Sequence, residues 1–197
     1  MRVLALAFAF ALLAGGLPAT AAELTFLALP PVSDRQPWAS AVEGDADLPG
    51  LGGYDVRAFA RVAASLTDSF SLGVPGRAST LLDTSFHFFQ LGITLSRTYF
   101  GRYDLYAGGG YAWAHSSYHT DNFAGYGTSA QGGTTANGPT LELGVRVPLG
   151  QSTHLQAGVM ALFSTPTGEV CDTASHCAAP DTRSVLTYPY LGVGLRF

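Results

Sequence analysis

The chain contains no lysine; all ten of its basic side chains are arginine. Charge of either sign is scarce. Charged residues make up 12% of the sequence, about half the share of roughly 25% usual in soluble domains. The formal net charge is −4. With no basic cluster and no positive excess, nucleic acid is not an expected partner. Beyond the first two dozen residues, no apolar run approaches the roughly 18 residues that a membrane-crossing helix needs. Internal repeats above the hairpin scale and low-complexity tracts are absent, and cysteine occurs only at 171 and 177. What the chain has in quantity is glycine (24), phenylalanine (12) and tyrosine (9), with apolar residues that alternate instead of clustering.

The N-terminal stretch has the shape of an export signal. Met1-Arg2 is a positive start, Val3 to Leu13 is apolar, and Ala19-Thr20-Ala21 before Ala22 supplies small residues for cleavage. The expected organisation is therefore a signal peptide over residues 1–22 and one domain over 23–197.

In that domain, segments of period-two alternation are separated by turn residues. Glu23 to Leu29 reads as a short first strand. Gly53 to Leu66 sets Tyr54, Val56, Ala58, Ala60 and Val62 against Asp55, Arg57, Phe59 and Arg61. Thr67-Asp68-Ser69 reads as a tight turn, and Phe70 to Val74 as the return strand, ended by Pro75-Gly76. Ser85 to Arg97, Tyr103 to His115, Thr140 to Pro148, His154 to Phe163 and Tyr188 to Phe197 complete eight strands. Short connections fall near Asp68, Gly101 and Gln151. Long ones run over Pro30–Gly52, Gly76–Thr84, Ser116–Pro139 and Ser164–Ser184. Short turns on one side, long loops on the other and an even strand count are the signature of an outer-membrane barrel. The expected fold is all-β, an eight-stranded antiparallel up-and-down transmembrane β-barrel.

Polarity then separates inside from outside. An arginine facing lipid near the midplane costs roughly 2–4 kcal/mol, so Arg57, Arg61 and Arg146 are expected in the lumen with Asp55 and Glu142. Eight strands leave an interior that side chains just fill. The expectation is an ion-pair plug of Asp55, Arg57, Arg61, Gln90, Glu142, Arg146 and Gln156, with a narrow pore lined by the same groups as the alternative. Tyr54, Tyr111 and Trp113 are expected outside near strand ends, where amphipathic aromatics meet headgroups.

The aromatic-glycine strand Tyr106-Ala107-Gly108-Gly109-Gly110-Tyr111-Ala112-Trp113 and the terminal strand, together with the hairpin-linked pattern, resemble small outer-membrane β-barrels of the OmpA/OmpX or opacity-protein type. The resemblance implies a location in the bacterial outer membrane, among lipid and lipopolysaccharide. It also implies insertion by the barrel-assembly machinery, with Tyr190, Gly192, Leu195 and Phe197 at the positions of the terminal assembly signal. Tyr190 stands where that signal usually has a more polar residue. Barrels of this kind include adhesins, structural proteins and lipid-modifying enzymes, so the fold leaves the task open.

His115-Ser116-Ser117 is the one arrangement suggestive of catalysis. On a strand His115 and Ser117 share a face, here the lipid face, and the pair resembles lipid A 3-O-deacylases, in which serine, histidine and glutamate attack an acyl ester. Glu142 is the nearest acid, but the alternation turns it inward. The opposing reading is a rim histidine and serine among headgroups. Gly108-Gly109-Gly110 precedes no helix, so it is not a phosphate loop; small residues there make room for neighbouring side chains. Cys171 and Cys177, an even pair in an exported chain, read as a disulfide. A metal site from Cys171, Asp172, His176 and Cys177 matches no standard spacing. Asp34, Glu43, Asp45 and Asp47 read as a solvated acidic loop, with a cation bridge to lipopolysaccharide as the sharper alternative. The expectation is a monomeric, non-enzymatic surface-interaction barrel without cofactor or metal, its extracellular partner unidentified.

Overall fold

The computed structural model describes residues 22–30, 39–65, 69–72, 80–123, 128–172, 177–178 and 185–197. Residues 1–21 of the expected signal peptide and the Thr67-Asp68 turn lie outside the described residues, while Ala22, expected as the last residue of that signal, opens the first strand. Eleven strands run antiparallel among the described residues: β1 (Ala22–Leu29), β2 (Ala39–Leu51), β3 (Tyr54–Ser65), β4 (Ser69–Leu72), β5 (Thr80–Tyr99), β6 (Tyr103–Phe123), β7 (Thr128–Pro148), β8 (Thr153–Phe163), β9 (Thr167–Asp172), β10 (Cys177–Ala178) and β11 (Val185–Arg196). Eight of them close a barrel in the order β1, β2, β3, β5, β6, β7, β8, β11. The last joint is β1 against β11, from Glu23 opposite Arg196 to Ala28 opposite Leu191.

The strand count is as expected, but two members differ. Residues 39–51, read as loop, form β2, which pairs with β1 and β3 along its length. Its sequence is rich in alanine, glycine and acids, residues depleted in strands, so β-propensity hides it. The barrel interior overrides that preference, because Ala39, Ala41, Glu43 and Asp45 are buried inside while Ser40, Val42 and Gly44 face out. Conversely, the described part of the stretch read as a return strand lies in β4, which pairs with the start of β5 and stands outside the closed wall, while residues 73 and 74 lie outside the described residues. The first short turn is Gly52-Gly53 between β2 and β3. Both residues have positive φ, at 59° and 83°, the conformation of a two-residue hairpin.

The three tight turns among the described residues, near Gly52, Gly101 and Gly150, sit at the same end of the barrel as the start of β1 and the end of β11. The opposite, loop-side end is uneven. Strands β1, β2, β3 and β11 have 8, 13, 12 and 12 residues, whereas β5, β6 and β7 have 20, 21 and 21. A membrane-crossing strand takes about 9–11 residues. Much of 116–139, expected as loop, is therefore strand that carries one side of the wall past the rim. Pairing of β9 with β7 continues where β8 leaves off, and β10 folds back on β9.

Candidate functional site

The interior has two storeys. On the turn side, inward positions of β1, β2, β3, β7 and β8 bring charges together. Arg57 Nη1 donates to Glu23 Oε2 at 2.9 Å, and its Nε lies 3.1 Å from Asp47. Arg61, 1% exposed, pairs with Glu43 through two nitrogens and reaches Glu142 at 3.1 Å. It also donates to Gln90 Oε1 at 2.9 Å, and Gln90 donates to Thr140 at 3.0 Å. Gln156 couples the cations: it accepts from Arg146 Nε and donates to Glu43, both at 2.9 Å. Arg146 lies 3.7 Å from Asp45, whose oxygens make no hydrogen bond among the described residues. His154 Nε2 is 3.0 Å from Glu23 Oε1.

Aromatic rings floor this network. The guanidinium of Arg61 stands 4.5 Å from the centre of the Tyr190 ring and that of Arg146 4.6 Å from Tyr106, in cation–π range. The two phenols share a hydrogen bond of 2.7 Å across the lumen. Glycines make this possible. A Cβ at Gly144 would run into the Tyr106 ring, and one at Gly158 would come within 2.5–2.6 Å of the Tyr190 phenol.

On the loop side the lumen turns apolar. Leu27, Leu29, Ala39, Ala41, Ala63, Phe86, Phe88, Ala112, Ala114, Ala136, Met160, Leu162 and Tyr188 are buried together, with Phe86, Phe88 and Tyr188 in mutual ring contact at 5.9–6.3 Å.

Six of the seven expected lumen residues, Arg57, Arg61, Gln90, Glu142, Arg146 and Gln156, are buried inside. Asp55 is not part of the plug: it keeps the inward register of β3 but sits two residues beyond Arg57, exposed at the turn-side mouth. The partners that sequence reasoning missed are Glu23, Glu43, Asp45, Asp47 and His154. The acids of β2, read as a solvated loop, supply much of the negative side of the network. The odd-numbered alternation of 39, 41, 43, 45 and 47 was the available signal. A half-open cavity of about 90 Å³ lies at the turn-side mouth between Glu23, Arg57, Arg146, His154 and Arg196.

The outer wall is apolar through its middle, with Leu91, Ile93 and Leu95 on β5, Leu141 and Leu143 on β7 and Leu191 and Val193 on β11 exposed. Tyr54, Tyr111 and Trp113 are exposed on this face; Tyr111 and Trp113 lie 4.8 Å apart, and Trp113 stacks on Phe89 at 5.6 Å. Of the expected assembly-signal residues, Tyr190 and Gly192 face inward, and Leu195 and Phe197 are exposed. His115 and Ser117 do share the outer face, but no hydrogen bond joins them. His115 Nδ1 pairs with Thr135 Oγ1 at 3.0 Å and Ser117 with Ser85 at 2.6 Å. Glu142 is held by Arg61 on the other side of the wall, so the three do not form a triad. Cys171 and Cys177 face each other across β9 and β10 and form a disulfide, which leaves neither thiol for a metal. Asp34 and His176 lie outside the described residues.

No family model and no curated protein matches the chain. Solved structures do. A major outer membrane protein from Thermus thermophilus superposes with a TM-score of 0.57 at 12% identity, over 90% of this chain and 100% of that one. The N-terminal β-barrel domain of Pseudomonas aeruginosa OprF gives 0.54 at 11%, over 91% and 98%. Acinetobacter baumannii CarO gives 0.51 at 11%, over 92% and 99%. This chain has the fold of the small outer-membrane β-barrels. At such identity the likeness is one of architecture, and the task must be read from the chain's own surfaces.

Proposed function

We propose that this protein is an integral outer-membrane barrel of structural and surface-interaction type, exported by its N-terminal signal and closed to solute flow. One observation carries the reading: the barrel is inside-out, with charges sequestered in the lumen and leucine, isoleucine, valine and aromatic side chains exposed on the outer wall. In water such a wall would be an aggregation surface; in a bilayer it is the solvated face. The filled lumen argues against transport, since ion pairs occupy one storey and apolar side chains the other. Binding then belongs to the loop side, where the long strands β5, β6 and β7 with β9 and β10 raise a sheet clasped by the Cys171–Cys177 disulfide. Lipid and lipopolysaccharide surround the wall, and the barrel works as a monomer.

Expression of the full chain in a Gram-negative host tests this. The protein should sediment with outer membranes and migrate faster on gels when unheated than when boiled. A soluble periplasmic product that shows no heat-dependent shift contradicts the reading. The deacylase alternative predicts a lipid A mass profile that changes on expression and reverts with Ser117→Ala. The separate partners of His115 and Ser117 predict an unchanged profile.

A further inference from the structure

The apolar surface does not fade toward the turns. Phe100 is 84% exposed and Leu51 68%, both more than Leu143, at 62% the most exposed side chain in the middle of the wall; Leu149 stands at 60%. Each of the three tight turns thus carries one large apolar side chain followed by glycine: Leu51-Gly52, Phe100-Gly101 and Leu149-Gly150. All three point toward the outer wall. Leu51 pairs with outward Tyr54, Phe100 packs against outward Tyr103 with ring centres 6.0 Å apart, and Leu149 continues the outward row Leu141, Leu143, Val145, Val147. Phe100 holds a φ of 54°. That left-handed conformation suits glycine or asparagine and is strained for a phenylalanine, so the ring is kept there against the backbone's preference.

Dimensions agree. The row on β7 from Pro139 to Val147 covers roughly 26 Å of strand at about 3.3 Å per residue, or roughly 20 Å of height at a tilt near 40°. An outer-membrane barrel shows an apolar band about 25 Å tall. Continuing to Leu149 supplies the missing height, about 5 Å at the same rise and tilt. The charges at this end are sorted as well. Arg97 lies on the outward register, its guanidinium 5.8 Å from the Tyr54 ring centre, and Arg102 is exposed in a turn. The acids nearby, Asp47, Asp55 and Asp104, lie on the inward register around the mouth.

We infer that the three turns do not project into water: Leu51, Phe100 and Leu149 are seated in the turn-side lipid leaflet, with Arg97 and Arg102 meeting its phosphate groups. The barrel then rides low in the membrane, and its surplus strand length stands entirely on the loop side. This inference rests on the membrane reading above, deepens it by naming the leaflet the turns occupy, and is separable from it.

The test uses the full chain carrying Trp38→Phe and Trp113→Phe, refolded into phosphatidylethanolamine–phosphatidylglycerol vesicles. A single tryptophan is then introduced as Phe100→Trp or, in a second protein, as Leu143→Trp. Both indoles should emit in the blue, position 100 quenched by lipids brominated high on the acyl chain and position 143 by lipids brominated deep in it, with iodide ineffective at position 100. Blue, lipid-quenched emission from position 143 beside red, iodide-quenched emission from position 100 overturns the turn anchoring and leaves the membrane barrel standing. Red emission from both positions overturns the membrane reading itself. Phe100→Asn gives an independent check: it relieves the backbone, so a turn in water gains urea resistance, whereas an anchored turn loses it.

Discussion

On the turn side of the lumen, Arg57, Arg61 and Arg146 are held by Glu23, Glu43, Asp47, Gln90, Glu142 and Gln156. On the loop side, Phe86, Phe88, Met160, Leu162 and Tyr188 fill the same cylinder without a charge among them. The two storeys close one barrel by opposite chemistry, and they differ in how they tolerate change. A buried ion pair is weak as a net stabiliser but costly to break, because removing one partner strands the other in a dry site. Apolar packing has no such directionality; its cost scales with the void left behind. The ionic storey is linked strand to strand, from Arg57 through Glu23 to His154 and from Arg61 through Glu43 and Gln156 to Arg146. The apolar storey is cohesive without such a chain of specific partners. The turn side thus ties β1, β2, β3, β5, β7 and β8 together through specific partners, and the loop side contributes bulk cohesion.

The sharpest way to break the comparison is Arg61→Ala. It leaves Glu43 and Glu142 without their shared cation, and a loss of about 3–5 kcal/mol is expected for such a deletion, read by urea unfolding from vesicles. Leu162→Ala is the matched cut in the apolar storey. It should cost about 2–5 kcal/mol, while Leu162→Met, which conserves volume, should cost less than about 1.5 kcal/mol. No comparably mild replacement is expected at Arg61, since Arg61→Lys loses the forked geometry that serves Glu43, Glu142 and Gln90 at once.

Gly158→Ala probes the seam between charge and ring. The added methyl meets the Tyr190 phenol, so about 1–3 kcal/mol should be lost to overpacking. Tyr190→Phe in the same background should recover little, because the ring remains. The smallest effect is expected for the half-exposed pair at the mouth, Arg196 with Asp47 at 2.8 Å. Arg196→Gln should change stability by no more than about 1 kcal/mol, less in high salt. A large loss there would blur the line between the buried network and its rim.

Much of this division is visible in the sequence, and the failures have one cause. The alternation of Phe89, Leu91, Ile93 and Leu95 against Gln90, Thr94 and Ser96 follows the wall in β5, and the aromatic-glycine pattern follows it in β6. In β2 the rule is diluted. Outward Val42 and Leu48 stand among small residues (Ser40, Gly44, Ala46) and its strongest signal is acidic, so it reads as solvated loop until closure supplies the arginines that face it. Asp55 errs in the opposite direction: its register is inward, but two residues past Arg57 the lumen has opened to water. Register is written in a single strand, whereas depth along the barrel is known only once neighbouring strands set the rim. His115 and Ser117 are kept apart for a related reason. Two residues on one face are neighbours in the sequence pattern, yet their cross-strand partners, Thr135 and Ser85, claim their polar atoms first.

The proposed closure of the lumen rests on both storeys together. Single-channel recording of the refolded protein in a planar bilayer tests it directly. A lumen filled in this way predicts no resolved conductance steps from the wild-type barrel under an applied potential. Stable, ohmic steps from the unmodified protein would contradict it.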